Sequence, residues 1–410
     1  MTPLERVVRE EWGRLVALLL AQFRRLDLVE DALGEAVATA QATWTAANTP
    51  DNPTGWLVTA ARRRILDRLR AEAMAARKEP LLTVEAERRP REGVMVDDGS
   101  VVDDDLLRLV LMCAHPALPP EGASALSLRL VMGISTPDIA RLFLVPEATM
   151  AARITRAKKK VVAAGIPFAI PGTDAIGERL DVVAHTAYLA FTAGYAPGSG
   201  PDLLRAELAG EALRLARVAR SLHGSDTLDL LIVLMALQHS RRDARVGPDG
   251  ALVLLADQDR DRWHHDEIAE ALRLLGESER GPAPSSPLAA SYRLQALIAA
   301  EHATAPRPED TRWDRIADLY AGLERLTPSP AVRVARAVAV AEADGPRQGL
   351  ALLDGVEMAG HRLPAVRGEL LARAGDVEAA RASLSESIAL CDNEIERRHL
   401  ESRRDALGPA

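Results

Sequence analysis

The chain has 410 residues, 48% of them hydrophobic and 27% charged, which is typical of globular proteins and predicts two to four domains of about 150 residues. No apolar run approaches the ~20 residues that span a bilayer, and residues 1–12 carry charges where a signal peptide is apolar, so we expect a cytoplasmic protein without a membrane contact. The net charge of -8 argues against indiscriminate coating of nucleic acid, so any DNA contact must come from local basic clusters.

Residues 4–72 show helical periodicity with a break near residues 48–54. Asp27 is the predicted N-cap of the second helix, which carries Asp31 and Glu35 four residues apart on one exposed face. By pattern alone, such an acidic pair is ordinary solvent-facing surface.

Residues 48–56 form a loop by their prolines, asparagines and glycine, and Trp56 begins a third helix with a basic face. Its apolar stripe is Leu57, Ala61, Ile65 and Leu69, and its arginines are Arg62, Arg63, Arg64, Arg68 and Arg70. Trp44 and Trp56 are consistent either with core packing or with stacking on unpaired bases of single-stranded DNA.

Residues 73–104 mix charges, prolines and glycines without a period, which predicts a linker. Residues 105–163 then predict a second helical module. Within it, Thr136 is the predicted N-cap and Pro137 the first residue of a short helix, and a second helix follows Pro146. One face of that second helix is apolar and the other is cationic, a pattern typical of a helix-turn-helix. The apolar residues are Met150, Ile154, Ala157 and Val161, and the opposite face carries Thr149, Arg153, Arg156 and Lys160.

Residues 174–408 predict a large helical domain with short loops. Residues 337–354 and 368–390 each combine an Ala-rich helix, a Gly-centred turn and an amphipathic helix. Gly345 and Gly375 lie thirty residues apart, close to the tetratricopeptide period of about 34. The fold prediction is therefore all-α: two small helical modules joined by a linker, followed by a tetratricopeptide-like helical domain.

The sequence gives little support for a catalytic or metal-binding site. Cys113 and Cys391 lack the spacing of a disulfide framework or a zinc site, and we expect both in the core. His264, His265 and Asp261 are an incomplete metal-ligand set, because adjacent helical residues diverge by about 100°. We therefore expect no enzymatic activity, no metal and no other cofactor.

Four segments, in order, resemble the sigma-70 family of bacterial transcription initiation factors, specifically its extracytoplasmic-function group. The segments DLVEDALGEAVATA and PDNPTGWLVTAARRRILDRLR, within residues 10–72, are similar to region 2. Residues 106–162 are similar to region 4. The extension, with segments such as LLADQDRDRW, resembles a subgroup with a long tetratricopeptide-like C-terminal domain. One departure is FTAGY, at residues 191–195, which lacks the acidic residue of the subgroup's FNEGY-type motif.

The resemblance implies a role for each matching residue. Asp31 and Glu35 would dock on the coiled coil of the polymerase clamp. The loop at residues 48–56 would bind a flipped base of the -10 element. The residues implied at the -10 element are Asn52, Trp56, Arg62, Arg63, Arg64 and Arg68. At the -35 element, Thr149, Arg153 and Arg156 would contact bases, and Lys158, Lys159 and Lys160 would contact phosphates.

The function implied by the resemblance is a promoter-specificity subunit that binds core RNA polymerase and promoter DNA and assists melting. Its C-terminal domain would provide regulation, through an intramolecular contact or a regulatory protein. The alternative is a stand-alone helix-turn-helix regulator with a helical effector-binding or protein-binding domain. Such a regulator needs no second basic module about 80 residues upstream, and its DNA binding would not depend on polymerase.

Overall fold

A computed structural model of the chain describes residues 3–45, 48–76, 99–143, 145–195, 206–247, 251 and 253–408. Over these residues it contains eighteen α-helices, four short 3-10 turns and no strand, which confirms the all-α prediction. In the same ranges, no helix has both the length and the apolar character that a membrane span requires.

The chain forms two compact units. Unit 1 comprises Met1–Arg141, Val145–Thr186 and Ser221–His223, and unit 2 comprises Leu142–Leu144, Ala187–Arg220 and Gly224–Ala410. The two small modules expected at residues 1–72 and 105–163 thus fall almost entirely within unit 1. Most of the expected linker, residues 77–98, lies outside the described residues, and helices reach into both of its ends.

Eight helices begin in unit 1. They are α1 (Pro3–Phe23), α2 (Leu26–Thr43), α3 (Pro53–Ala76), α4 (Gly99–Cys113), α5 (Pro120–Leu130), α6 (Thr136–Leu142), α7 (Glu147–Ala163) and α8 (Thr173–Tyr195). Helix α1 packs against α2, α3 and α4, and α5 packs against α7. Their shared interior is built from fully buried side chains at helical spacing, including Leu19, Leu33, Leu57, Ile65, Leu109 and Leu126. Of the stripe expected on α3, only Leu69 is half-buried rather than buried.

Two predicted N-caps in unit 1 are wrong, because other interactions stabilise those helix ends. The Ser135 hydroxyl accepts a hydrogen bond from the Asp138 backbone N–H at 3.2 Å, so Ser135 caps α6 and Thr136 is already helical. Asp27 lies inside the first turn of α2, where its carboxylate pairs with Arg25 at 2.8 Å. Its charge there is favourable to the helix dipole.

Ten further helices lie mainly in unit 2. They are α9 (Ala206–Leu222), α10 (Asp226–His239), α11 (His265–Arg280), α12 (Pro287–Thr304), α13 (Trp313–Leu326), α14 (Pro330–Asp344), α15 (Pro346–Leu352), α16 (Arg362–Ala374), α17 (Val377–Leu390) and α18 (Glu394–Asp405). Several begin at a side chain that accepts a hydrogen bond from a backbone N–H of the first turn. These capping residues are Ser225, Ser286, Ser329, Asp376 and Asn393.

Helices α14 and α15 pack closely around a glycine turn, and α16 and α17 repeat the arrangement. Gly345 and Gly375 have φ angles of 106° and 90°, which L side chains rarely adopt. Gly349 permits the close approach of α15 to α14, since a Cβ atom there would lie 2.5 Å from the Ala337 carbonyl oxygen. The two similar segments noted in the sequence are therefore both helical hairpins.

Candidate nucleic-acid interface

Helices α6 and α7 form the helix-turn-helix. On α7 the four predicted packing residues, Met150, Ile154, Ala157 and Val161, are all buried. On the opposite side Thr149 and Arg156 are exposed and Arg153 is half-buried. The face of α7 away from the core is therefore polar and cationic and open to a partner.

The cations of this face differ in their pairing. In the described part of the chain, Arg153, Arg156, Lys159 and Lys160 form no ion pair, so their charges are available to an anionic partner. Lys158 instead forms an ion pair with Glu30 of α2. Lys158 therefore takes part in packing within unit 1 and lies apart from the open cationic face.

Glu30 is the centre of a buried charge cluster that connects α2, α5 and α7. Only 5% of Glu30 is exposed, and its carboxylate accepts a hydrogen bond from Arg129 at 2.5 Å in addition to the Lys158 contact. Arg129 also donates to the Ile134 carbonyl at 3.1 Å and lies 5.9 Å from the centre of the Trp12 ring. Burial alone would raise the pKa of Glu30, but the charges of Lys158 and Arg129 outweigh it and lower that pKa.

The acidic residues of α2 and the arginines of α3 contact one another. Arg68 pairs with Asp31 at 3.4 Å and also with Glu35, and Arg64 pairs with Glu35 at 3.2 Å. Arg64 further donates to the Thr39 hydroxyl at 2.8 Å. These side chains remain between 29% and 66% exposed, so the pairs are solvated and inexpensive to break. The residues expected to bind polymerase thus cover part of those expected to bind DNA.

The start of α3 is built around Asn52 and two tryptophans. The Asn52 side chain accepts a hydrogen bond from the Gly55 N–H at 2.8 Å and so caps α3, with Pro53 as the first helical residue. Trp44 and Trp56 are both half-buried and meet edge to face, with ring centres 5.3 Å apart. Arg62 and Arg63, one turn further along α3, are exposed. The tryptophans therefore serve local packing and keep part of their surface open.

Glu30 and Arg129 are not among the site residues that the sequence predicts. A signal existed for Glu30, because it lies among Leu26, Val29 and Leu33 on the buried side of α2. A charge at such a position requires a buried partner. The partner itself was not predictable, since Arg129 lies 99 residues away in the chain.

The two histidines of the incomplete metal-ligand set, His264 and His265, have separate partners. His264 contacts the Asp243 carboxylate at 2.8 Å, whereas His265 contacts the Arg260 carbonyl at 3.0 Å. Within the described ranges, one other group has metal-ligand chemistry: His361, Cys391 and Glu396, whose ligand atoms lie within 4.8 Å of one another.

The donors of that group already bond within the protein. His361 pairs with Glu396 at 2.9 Å, and the Cys391 thiol donates to the Asn393 carbonyl at 3.4 Å. Burial raises the pKa of the Cys391 thiol, which keeps it protonated and a poor ligand.

Two segments of the chain match models of protein families. Residues 108–161, which contain the helix-turn-helix, match the model of sigma-70 region 4, and residues 179–279 match a family of unknown function, DUF6596. The chain is also similar to an uncharacterized protein, R00370, of Rhizobium meliloti (strain 1021). The two are 42% identical over 400 residues, which cover 95% of this chain and 92% of that protein. No solved structure matches.

The helix-turn-helix and its match to sigma-70 region 4 support a role in transcription. The chain belongs to the same family as the Rhizobium protein, and its residues 108–161 support a sigma-70 type of protein through their match to region 4. Region 4 supports promoter DNA and RNA polymerase as partners and belongs to a class of transcription factors that is not enzymatic.

Proposed function

We propose that this protein is an initiation factor of the extracytoplasmic-function group that binds core RNA polymerase, directs it to promoters and assists DNA melting. The observation that carries the proposal is the agreement between the region 4 match and a helix-turn-helix whose second helix buries one face and leaves unpaired cations on the other. Thr149, Arg153 and Arg156 would contact bases of the -35 element, and Lys159 and Lys160 would contact phosphates.

The -10 element would be bound by the start and the basic face of α3. Asn52 and the half-buried Trp56 would contact a flipped base, and Arg62 and Arg63 would follow the backbone. Arg64 and Arg68 would join them when Asp31 and Glu35 turn to the polymerase. Because those ion pairs are solvated, exchanging them for a new partner costs about 1 kcal/mol or less each.

This exchange of ion-pair partners couples the binding of polymerase to the binding of DNA. In the free protein, two arginines of α3 are neutralised by the acidic residues of α2. A polymerase contact made by Asp31 and Glu35 releases those arginines, so the affinity for -10 DNA rises only after polymerase is bound. By reciprocity, DNA bound to the arginines favours polymerase binding by the same factor.

The helical C-terminal domain would regulate this activity. Its paired hairpins, α14 with α15 and α16 with α17, resemble the stacked helix pairs of tetratricopeptide repeats, which bind proteins or fold back on their own chain. We therefore assign it a regulatory protein contact or an intramolecular one.

The deciding experiment compares promoter binding with and without core polymerase. A radiolabelled promoter fragment is titrated with the full chain alone, with core polymerase alone and with both. We expect a stable complex only with both proteins. An equally stable complex with the full chain alone would support the stand-alone regulator instead.

A further inference from the structure

Unit 2 contains a cluster of three arginines and an indole N–H in which several donors have no acceptor in the described part of the chain. Three arginines surround two aromatic rings there. The Arg245 guanidinium lies 4.6 Å from the centre of the Tyr195 ring, and those of Arg241 and Arg260 lie 5.8 Å and 4.4 Å from the centre of the Trp263 ring. Cation–π contacts of this kind hold the guanidinium planes in place but leave their N–H edges free to bind another group.

No carboxylate neutralises Arg241 or Arg245 within the described ranges. The neighbouring Arg242, by contrast, has a carboxylate partner. It forms a two-bond ion pair with Glu267 at 2.9 Å and also donates to the His239 carbonyl. Tyr195 is no counter-ion either: burial raises the pKa of its phenol, and its hydroxyl bonds His239 at 2.7 Å.

Burial lowers the pKa of two of these arginines. Burial, followed by the neighbouring charge of Arg245, lowers the pKa of Arg241 to about 10, and burial also lowers the pKa of Arg245. Both remain cations at neutral pH. Uncompensated charges removed from water are costly, and a bound anion is the usual compensation.

Two buried donors at the same place also lack acceptors. The Trp263 indole N–H has no hydrogen-bond partner in the described part of the chain, although only 4% of Trp263 is exposed. The Nε of Arg260 is likewise unpartnered, while its Nη1 donates to the carbonyls of His302 and Ala305 at 3.1 Å and 2.8 Å. A site rich in donors and poor in acceptors suits an oxyanion, which only accepts hydrogen bonds.

We propose that Arg241, Arg245, Arg260 and Trp263 form a binding site for the oxyanion group, phosphate or carboxylate, of a small molecule. Each guanidinium can donate two parallel hydrogen bonds to such a group, and the rings of Tyr195 and Trp263 hold the guanidinium groups in place. All four residues come from the segment between α10 and α11, and Tyr195, whose ring contacts Arg245, is the last residue of α8, so a bound anion would connect that segment to the end of α8. The site gives unit 2 a ligand-binding role beyond the proposed promoter function.

The test is a calorimetric titration of the full chain at constant ionic strength, with inorganic phosphate in one arm and acetate in the other, each against chloride. We expect saturable binding of at least one of the two beyond chloride, and the arm that binds identifies the group. Arg241→Gln and Arg245→Gln should each raise the Kd at least about tenfold, as expected for loss of a charge-assisted two-bond contact. The matched control is Arg262→Gln, an exposed arginine of the same segment, which should keep the wild-type Kd.

The proposal is overturned if neither anion binds the wild-type chain beyond chloride, or if Arg262→Gln weakens binding as much as Arg241→Gln. If the glutamine variants fail to fold, as judged by circular dichroism at 222 nm, Arg241→Lys is the variant to measure. It keeps the positive charge but cannot donate two parallel hydrogen bonds to one anion. It should then bind more weakly than the wild type, and an unchanged Kd would contradict the proposed site. Because polymerase and DNA are absent, failure here leaves the proposed promoter function untouched.

Discussion

Lys158, on the second helix of the helix-turn-helix, forms an ion pair with Glu30, a buried residue of α2. Arg129 of α5 bonds the same carboxylate, so a single side chain connects the helix proposed to contact the -35 element with the helix proposed to dock on polymerase. The relative position of these two helices in unit 1 therefore depends on one buried charge. Buried ion pairs are weak evidence of net stability, but breaking one by removing a partner is strongly destabilising.

Glu30→Gln should destabilise unit 1, because it leaves Arg129 and Lys158 unpaired next to a buried amide. We expect the free energy of unfolding in urea to fall by about 3–5 kcal/mol. The folded-state pKa of Glu30 is lowered, so its contribution is present at neutral pH and is lost as pH falls through that value. The difference between wild type and variant should therefore shrink in acid.

Glu35→Gln is the control for that experiment, because Glu35 is an exposed acid on the same helix. Its effect on stability should stay below about 1 kcal/mol. Equal losses of unfolding free energy in the two variants would mean that the buried Glu30 cluster stabilises unit 1 no more than an exposed acidic residue does.

Glu35→Gln has a second expected effect, on binding. It removes the ion pair of Arg64 and leaves Arg68 paired with Asp31 alone, so the full chain without polymerase should bind single-stranded DNA more tightly and with a salt dependence steeper by about one unit of slope. Binding to core polymerase should weaken at the same time. Fluorescence anisotropy with labelled DNA and with labelled polymerase measures both.

Asp67→Asn makes the same charge change at an exposed acid of α3 that pairs with Arg70. It should leave polymerase binding unchanged. If Asp67→Asn and Glu35→Gln lost polymerase binding equally, the change in net charge would explain both losses, and Glu35 would have no specific contact with polymerase.

Unit 2 should lose stability in mild acid because of His239 and His302. Burial is the main cause that lowers the pKa of each to about 4, and neighbouring arginines add to it. The unfolded chain binds these protons near pH 6.5 and the folded chain does not, so stability is complete above 6.5 and decreases as pH falls towards 4.

Each histidine should account for about 2–3 kcal/mol of the loss between pH 7 and 4.5. His302→Gln should therefore flatten the pH dependence of chemical unfolding by that amount. An unchanged slope in this variant would show that His302 protonates as readily in the folded chain as in the unfolded chain.

Two glycine substitutions should have opposite signs. In Gly349→Ala the new Cβ would lie 2.5 Å from the Ala337 carbonyl oxygen and 2.7 Å from the Ala341 Cβ, so α14 and α15 must move apart. We expect a loss of about 1–3 kcal/mol. Gly177→Ala, on an exposed position of α8 with no atom within 4 Å, should gain about 0.5–1 kcal/mol. Thermal unfolding of both variants tests this contrast, and a gain at Gly349 would contradict the packing.

Helical periodicity predicted much of this fold. It predicted the helical character of residues 174–408 and identified the buried face of α7. The ends of helices were predicted less accurately, because a single capping side chain determines where a helix begins. Ser135, not the predicted Thr136, caps α6. The Glu30 cluster and the pairing of Arg68 with Glu35 were beyond prediction, since both depend on tertiary contacts between residues distant in the chain.

The proposed base contact of α7 is tested by Arg153→Ala. Arg153 has no ion pair in the described part of the chain, so its loss should not disturb the fold, and it should weaken -35 discrimination by about 1–3 kcal/mol. Binding to core polymerase should persist, and joint loss of both would contradict the assigned role.

Run-off transcription with core polymerase and the purified full chain, over a library of promoter fragments, is the most direct test of promoter-directed initiation. We expect transcripts from a restricted set of promoters that share -35 and -10 elements, and a strong reduction of these transcripts with Arg153→Ala. Absence of any chain-dependent transcript, while the chain alone binds the same fragments, would contradict it.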